Sequence, residues 1–311
     1  MQDKINILGI PLDLGAENLG VDIGPQAFRY QNIVSKLEST GLKVTDRGDV
    51  IVHPRKDLIV GDSHMRYVDE IIRVNNEVAD ITHDCLKNNE KVVAIGGDHS
   101  MCLGVVSGAS VVFNGDLALI YLDAHGDMNT SDTTLSGNIH GMHVASLLGH
   151  GDQRLIDVYA PGKKISNNNF LHIGGSDWDS AELDLVSSDN LKVFSMFDLL
   201  SQNLAPLLKM IDNISKITNN VWVSLDLDVI DQIYAPGAGM PNAKGLTYRE
   251  IVVIADYIGQ HCHVVGVDVA EYNPLHDKEN KTAELGIELI AKFLGKNYSW
   301  YTGYMERNKI I

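Results

Sequence analysis

Hydrophobic positions along the chain fall into short, continuous apolar runs separated by longer stretches with helical spacing. Ile5 to Ile10 reads as a first strand, followed by a Gly- and Asp-rich loop from Pro11 to Gly24. Pro25 suits the first turn of a helix running to about Thr40, with Gly41 as its stop. Leu42 to Val44 reads as a short edge strand. Apolar positions at Val68, Ile71, Ile72, Val78, Ile81 and Cys85 predict a long amphipathic helix from about Ser63 to Lys87. Val92 to Ile95 is the next strand, and Cys102 to Val106 opens a helix that Gly and Ser residues close. Leu117 to Leu122 is a strand, after which come a polar loop from Thr130 to Asn138 and a helix ending near Leu148. Asp152 to Asn169 reads as a surface excursion. The second half alternates again. Strands are expected at Leu171 to Ile173, Leu191 to Phe194, Val221 to Leu225 and His263 to Val269. Helices are expected near Ala181, at Met196 to Ile211, Thr247 to Ile258 and Ala283 to Leu294.

Strands alternating with helices, with no repeat and no low-complexity linker, predict an α/β chain: one parallel sheet covered on both faces, residues 1–311 forming a single domain. Three of the strands end in the same chemistry. The run through Leu122 delivers Asp123, His125 and Asp127, alternate residues that share a face while the chain stays extended. Val92 to Ile95 runs into Asp98 and His99, and Val221 to Leu225 into Asp226 and Asp228, with Asp231 close behind. Carboxylates gathered at the end of an apolar strand repel one another and lose solvation unless a cation compensates them. Ligands of open α/β sheets bind outside the carboxyl ends of the strands, where all three clusters fall. A metal centre is the direct reading.

Composition adds bounds. A chain of 311 residues, 44 % hydrophobic and 21 % charged, suits one large α/β domain or two small ones. The formal charge of −16 argues against nucleic acid or an anionic membrane as partner and favours a cationic small molecule. No run approaches the ~18 apolar residues of a membrane span, and the first residues lack a signal-peptide pattern. Cys85, Cys102 and Cys262 stand far apart in apolar contexts, as reduced thiols of a cytoplasmic protein would.

GGDHS at 96, DAHGD at 123 and SLDLDVID at 224 resemble the three signature blocks of the ureohydrolases, the arginase and agmatinase family. The likeness covers nearly the whole chain and is greatest to the arginases. It implies an α/β/α sandwich around an eight-stranded parallel sheet, and His99, Asp123, His125, Asp127, Asp226 and Asp228 as metal ligands. Four carboxylates and two imidazoles without a thiolate suit a hard cation such as Mn²⁺, although Co²⁺, Fe²⁺ and Ni²⁺ accept the same set. Six protein ligands suit two ions with shared carboxylates, roughly 3.5–4 Å apart. By resemblance Asp123 and Asp226 bridge, His99 and Asp127 complete one ion, and His125 and Asp228 the other.

The resemblance also implies the reaction, hydrolysis of L-arginine to L-ornithine and urea by a metal-bridging hydroxide. Asp127 would orient that hydroxide, and His140, in SGNIHG, would shuttle protons to the leaving amine. Glu271, in GVDVAEYNP, would hold the guanidinium, whose planar donor fork suits a carboxylate. Asn129, Thr134 and Ser136 match residues that bind the α-carboxylate, and Asp179 the one facing the α-ammonium, with Glu182 behind it. His125 also counts among the substrate contacts, and Thr247, in GLTYRE, is expected near the guanidinium. Asp98 and Asp231 are expected to fix loops, and Asp177, His143 and His172 to be structural. Gln232, Met240 and His143 depart from the family pattern. The alternatives are agmatinase or another guanidino or formimino hydrolase, and a non-catalytic arginine-binding member. The family also suggests a trimer or hexamer.

Overall fold

The order of the strands in space explains where the ligand-bearing ends meet. The computed structural model describes residues 3–298. Its sheet holds β1 (Lys4–Ile10), β2 (Lys43–Asp49), β3 (Lys91–Gly96), β4 (Ala118–Asp123), β5 (Phe170–Gly174), β6 (Lys192–Ser195), β7 (Val221–Asp226) and β8 (Val264–Ala270). They lie in the order β2-β1-β3-β8-β7-β4-β5-β6, all parallel. From β3 the chain crosses to β4 and leaves two places between them, which β8 and β7 later fill. The four central strands therefore present their carboxyl ends side by side. Leu122 pairs with Leu225, so Asp123 and Asp226 leave neighbouring strands at one level.

Eleven α-helices lie among the described residues: α1 (Gly24–Tyr30), α2 (Ile33–Ser39), α3 (Val68–Lys87), α4 (Cys102–Phe113), α5 (His143–Leu147), α6 (Gln153–Ile156), α7 (Ser180–Ser188), α8 (Met196–Gln202), α9 (Ala205–Ile217), α10 (Tyr248–His261) and α11 (Lys281–Phe293). Strand alternation divides the core in two. Ile5, Ile7, Val93, Ile120, Leu122, Val223 and Val267 face α1, α2, α9, α10 and α11. Leu8, Ile10, Val92, Leu119, Tyr121 and Trp222 face α3, α4 and α5. The expected three-layer α/β arrangement is what the chain adopts. The edge strand β2, KVTDRGD, stays mostly polar and exposed, a sequence that discourages pairing with another sheet.

Several expected boundaries shift for local reasons. The single helix expected from Pro25 to Thr40 is two, broken where Asn32 takes a left-handed φ of 57°, a conformation Asn tolerates. Asn203, also at φ 57°, splits α8 from α9. The long helix starts at Val68 rather than near Ser63. Gly and Ser do not close α4, which runs through them to Phe113. They thin it instead: a Cβ at Gly108 would lie 2.4 Å from the Ala79 carbonyl of α3, and one at Gly104 2.6 Å from that of Asn75. Nor is the 152–169 excursion purely surface, since it buries Leu155, Val158 and Ile165. Lys164 Nζ donates to the carbonyls of Ile156, Ala160 and Gly162 at 2.5, 2.5 and 2.7 Å and gathers the excursion around itself.

Candidate metal centre

Each ligand-bearing strand end is shaped by its own backbone. After β3, Asp98 caps a short helical turn by accepting the Ser100 N–H at 3.0 Å, and it takes the Gly15 N–H at 2.8 Å. That fixes the loop after β1 and sets His99 facing inward. After β4 the chain turns sharply at Asp127, whose φ of 51° is left-handed. Its carbonyl accepts from Val144 and Ala145, at the start of α5. Gly126 lets the turn close, because a Cβ there would meet the Trp178 ring at 2.5 Å. After β7, Asp226 accepts the Asp228 N–H at 2.8 Å and directs Asp228 toward Asp123.

The six expected ligands converge. His99 Nδ1 lies 3.0 Å from Asp123 Oδ2, 3.2 Å from Asp226 Oδ2 and 3.7 Å from Asp127 Oδ2. His125 Nδ1 lies 3.1 Å from Asp228 Oδ2 and 3.4 Å from Asp123 Oδ1. Asp123 thus offers one oxygen to each imidazole, and His99/Asp123/Asp226 and Asp123/His125/Asp228 form two ligand triads sharing it. Asp226, the other carboxylate expected to be shared, points Oδ2 to the His99 side and gives Oδ1 to the Asp228 amide.

Charge inside the cluster is mutually dependent. Burial disfavours charge on both imidazoles, but the surrounding carboxylates outweigh it and hold His99 and His125 well above their ordinary range. Burial also pushes Asp127, Asp226 and Asp228 up, reinforced by the charge of their neighbours. Asp123 goes the other way: burial opposes its ionisation, and His125 and His99 overcome that. A cluster that must gather protons to balance itself is one in which divalent cations would displace them. The donor set fits two hard ions.

Behind the ligands runs a buried chain that sequence reasoning missed. Trp222 Nε1–H donates to Asp268 at 2.5 Å, the Ser224 hydroxyl donates to the same carboxylate at 2.7 Å, and His99 Nε2 lies 2.8 Å from Ser224 Oγ. With the serine proton given to Asp268, His99 donates from Nε2, so that a neutral His99 would present its Nδ1 lone pair to the cluster. Burial pushes the Asp268 carboxyl up, and the charge of His99 together with the two donors limits the rise. Also unassigned from sequence was Tyr121, whose hydroxyl touches Asp123 and Asp127. The available signal was a polar side chain inside each apolar strand: Ser224 in VWVSLD, Asp268 in VVGVDVA and Tyr121 in ALIYLD. His143 and His172 are fully buried, each bonded to a backbone carbonyl, His140 O at 2.7 Å and His125 O at 2.8 Å. Burial holds both neutral, His172 pushed down to about 4.

A pocket of about 380 Å³ opens beside His125, lined by Asn18, Asp177, Gly239, Met240, Asn242 and His276 among others. Asp177 therefore faces the pocket as well as anchoring its loop through the Ala124 carbonyl. Glu271 follows β8 with a left-handed φ of 59°. Its Oε1 accepts the His99 N–H at 3.1 Å and stands 3.1 Å from His140 Nδ1. Burial would lower His140, but the Glu271 carboxylate raises it to about 9. Asn129, Asp179 and Glu182 come together: Asn129 Nδ2 donates to Asp179 Oδ2 at 2.6 Å, and Asp179 and Glu182 form a capping box at the start of α7. Thr134 and Ser136 shape their own loop, accepting the N–H groups of Gly137 and Asn138 at 3.0 and 3.2 Å. Thr247 caps α10 in a capping box with Glu250, its hydroxyl accepting the Glu250 N–H, and Met240 lines the pocket wall.

An α/β sheet with a buried carboxylate–imidazole cluster at the ends of its central strands defines a metal-binding α/β protein. Comparison with known proteins narrows the class. The profile of the Arginase family matches residues 3–295. The arginase of Brevibacillus brevis is 36 % identical over 296 residues, 95 % of this chain and 99 % of that protein. The arginase structure from Bacillus caldovelox matches with a TM-score of 0.91 at 32 % identity, covering 95 % of this chain and 99 % of that one. The arginase structure from Bacillus cereus matches at 0.90 and 32 %, covering 96 % and 100 %. The chain belongs to the arginase family.

Proposed function

We propose that this chain, a hydrolase acting on arginine, converts L-arginine and water to L-ornithine and urea at a centre for two manganese ions. The observation that carries the reading is the position of Asp123, one oxygen toward each imidazole, with Glu271 at the neighbouring strand end. His99 and Asp127 would hold one ion and His125 and Asp228 the other, with Asp123 and Asp226 shared. Such ions supply Lewis acidity, making water nucleophilic near neutral pH and offsetting charge in the transition state. The protein's own groups do the rest. Glu271 takes the guanidinium through paired hydrogen bonds and orients its carbon. Asp127 accepts a proton from the attacking water. His140, whose Nδ1 faces Glu271, has Nε2 left to pass a proton to the departing amine. Asp179 and Asn129 face the substrate's α-groups, with Thr134 and Ser136 in the adjoining loop.

The competing substrate is agmatine, which lacks the α-carboxylate. Asn129, Thr134 and Asp179 are half-buried in the free protein and would be covered by bound substrate, and polar groups covered without partners reject an analogue. The test measures urea release from arginine and from agmatine by purified protein with Mn²⁺. Arginine should be preferred by at least about 10²-fold in kcat/KM. A preference for agmatine would overturn the substrate, and absence of release from either would leave a binding protein. Residues 1–311 are proposed as one catalytic domain that assembles into a trimer or hexamer in the cytoplasm.

A further inference from the structure

Tyr121 stands two residues before Asp123 on β4, and strand alternation turns both side chains to one face. Its fully buried ring stacks on His99, with centroids 5.0 Å apart and planes 19° from parallel, and tilts against His143 and His172 at 5.7 and 5.5 Å. The packing aims the hydroxyl into the cluster. Oη lies 2.6 Å from Asp123 Oδ2, 2.6 Å from Asp127 Oδ2 and 3.1 Å from His99 Nδ1. These are the atoms that, with Asp226 Oδ2, outline the His99 side of the centre. The His125 side uses Asp123 Oδ1, whereas the hydrogen bonds of the Tyr121 hydroxyl to described residues all lie on the His99 side.

A phenol carries one proton and can donate it to one acceptor. Two carboxylate oxygens at the same short distance cannot both receive it. The second approach is stable where one oxygen carries a proton of its own or where positive charge lies beside the oxygens, and a cation held by these same atoms would supply that charge. The contact is thus one-sided: it fixes Asp123 Oδ2 and Asp127 Oδ2 and leaves Asp228 and His125 alone.

We propose that Tyr121 is a positioning residue for the His99-side ion. Its hydroxyl sets the two carboxylate oxygens of that site and makes the two halves of the centre unequal in affinity. The inference rests on the two-ion reading above. Partners that orient ligands in this way typically contribute 10–100-fold to metal affinity.

The test compares full-length wild type with Tyr121→Phe, which keeps the ring and its stack on His99. Metal-stripped protein is titrated with Mn²⁺, bound ions are counted by elemental analysis, and electron paramagnetic resonance separates an isolated ion from a coupled pair. Wild type should bind two ions with a coupled spectrum. Tyr121→Phe should keep one ion at wild-type affinity and bind the second about 10–100-fold more weakly. At intermediate Mn²⁺ it should show an isolated-ion spectrum where wild type shows the pair. Two ions bound as in wild type, or both weakened equally, would overturn the proposal while the two-ion reading stands. A wild type holding fewer than two ions would overturn both. Circular dichroism of the metal-free variant controls for folding, and Ser224→Ala gives an independent comparison. It acts on His99 through Nε2, and a matching one-sided loss is expected if the His99 side is a separate site. Equal loss at both sites in Ser224→Ala would reject that division and the proposal with it.

Discussion

Asp123 is the residue on which the two halves of the centre depend, because its oxygens face His99 and His125 separately. Asp123→Ala should bind markedly fewer than two manganese ions and lose nearly all turnover, as metal analysis and a urea assay would record. A variant with two ions and a near-normal rate would refute the shared role. His140 is different, since it meets Glu271 and no member of the ligand set. His140→Asn should therefore keep its manganese while kcat falls by roughly 10²–10⁴, the range for a lost general acid. The same residue gives a pH dependence. The neighbouring carboxylate raises its imidazole to about 9, so the free enzyme holds the proton below that pH and loses it above. The kcat/KM profile of wild type should fall on its alkaline side near pH 9, and that limb should vanish in His140→Asn. Substrate bound to Glu271 would compete with His140 for the carboxylate, which should shift the limb to lower pH in the kcat profile. At this scale much was legible. Apolar strands leading to Asp123, His99 and Asp226 made the cluster readable, although β4 ends at Asp123 and the turn at Asp127, not strand alternation, brings His125 and Asp127 in. Ser224, Asp268 and Tyr121 were hidden because one polar residue inside a strand has no partner in sequence. Thr247 carried a second signal that went unread: Thr247-x-x-Glu250 before an apolar run is a capping box.

Elements followed the hydrophobic pattern where the pattern is long, and departed from it where a single backbone conformation decides. Nothing in the periodicity of residues 25–40 marks Asn32, yet its left-handed φ turns one helix into two. Glycine misleads in the opposite direction. Gly104 and Gly108 looked like the end of a helix, whereas they are where α3 and α4 come closest. A helix can carry glycine when a neighbour's backbone occupies the space of the missing side chain. Gly108→Val should accordingly destabilise the protein by about 1–3 kcal/mol through overpacking against Ala79. Urea denaturation would measure this, and an unchanged midpoint would mean that the two helices part without loss.

At the scale of the whole molecule, metal and fold should be linked. Four carboxylates buried together strain the metal-free protein, and a ligand bound only by the folded state stabilises it by about 2.7 kcal/mol at a hundredfold excess over Kd. Chelation should lower the thermal midpoint by several degrees and Mn²⁺ should restore it, as calorimetry would show; a midpoint indifferent to metal would contradict a centre built by the fold. The strand order carries a consequence for how the molecule comes into being. The middle of the sheet is completed last: β3 and β4 are made early, but the places between them wait for β7 and β8. During synthesis the growing chain therefore holds two partial sheets, each with an open edge that its eventual neighbour has yet to cover. No nascent chain that stops short of Glu271 possesses both halves of the centre and the group proposed to hold its substrate. Chemistry at this site is in effect a certificate that translation has passed the eighth strand and that the two early sheets have been joined.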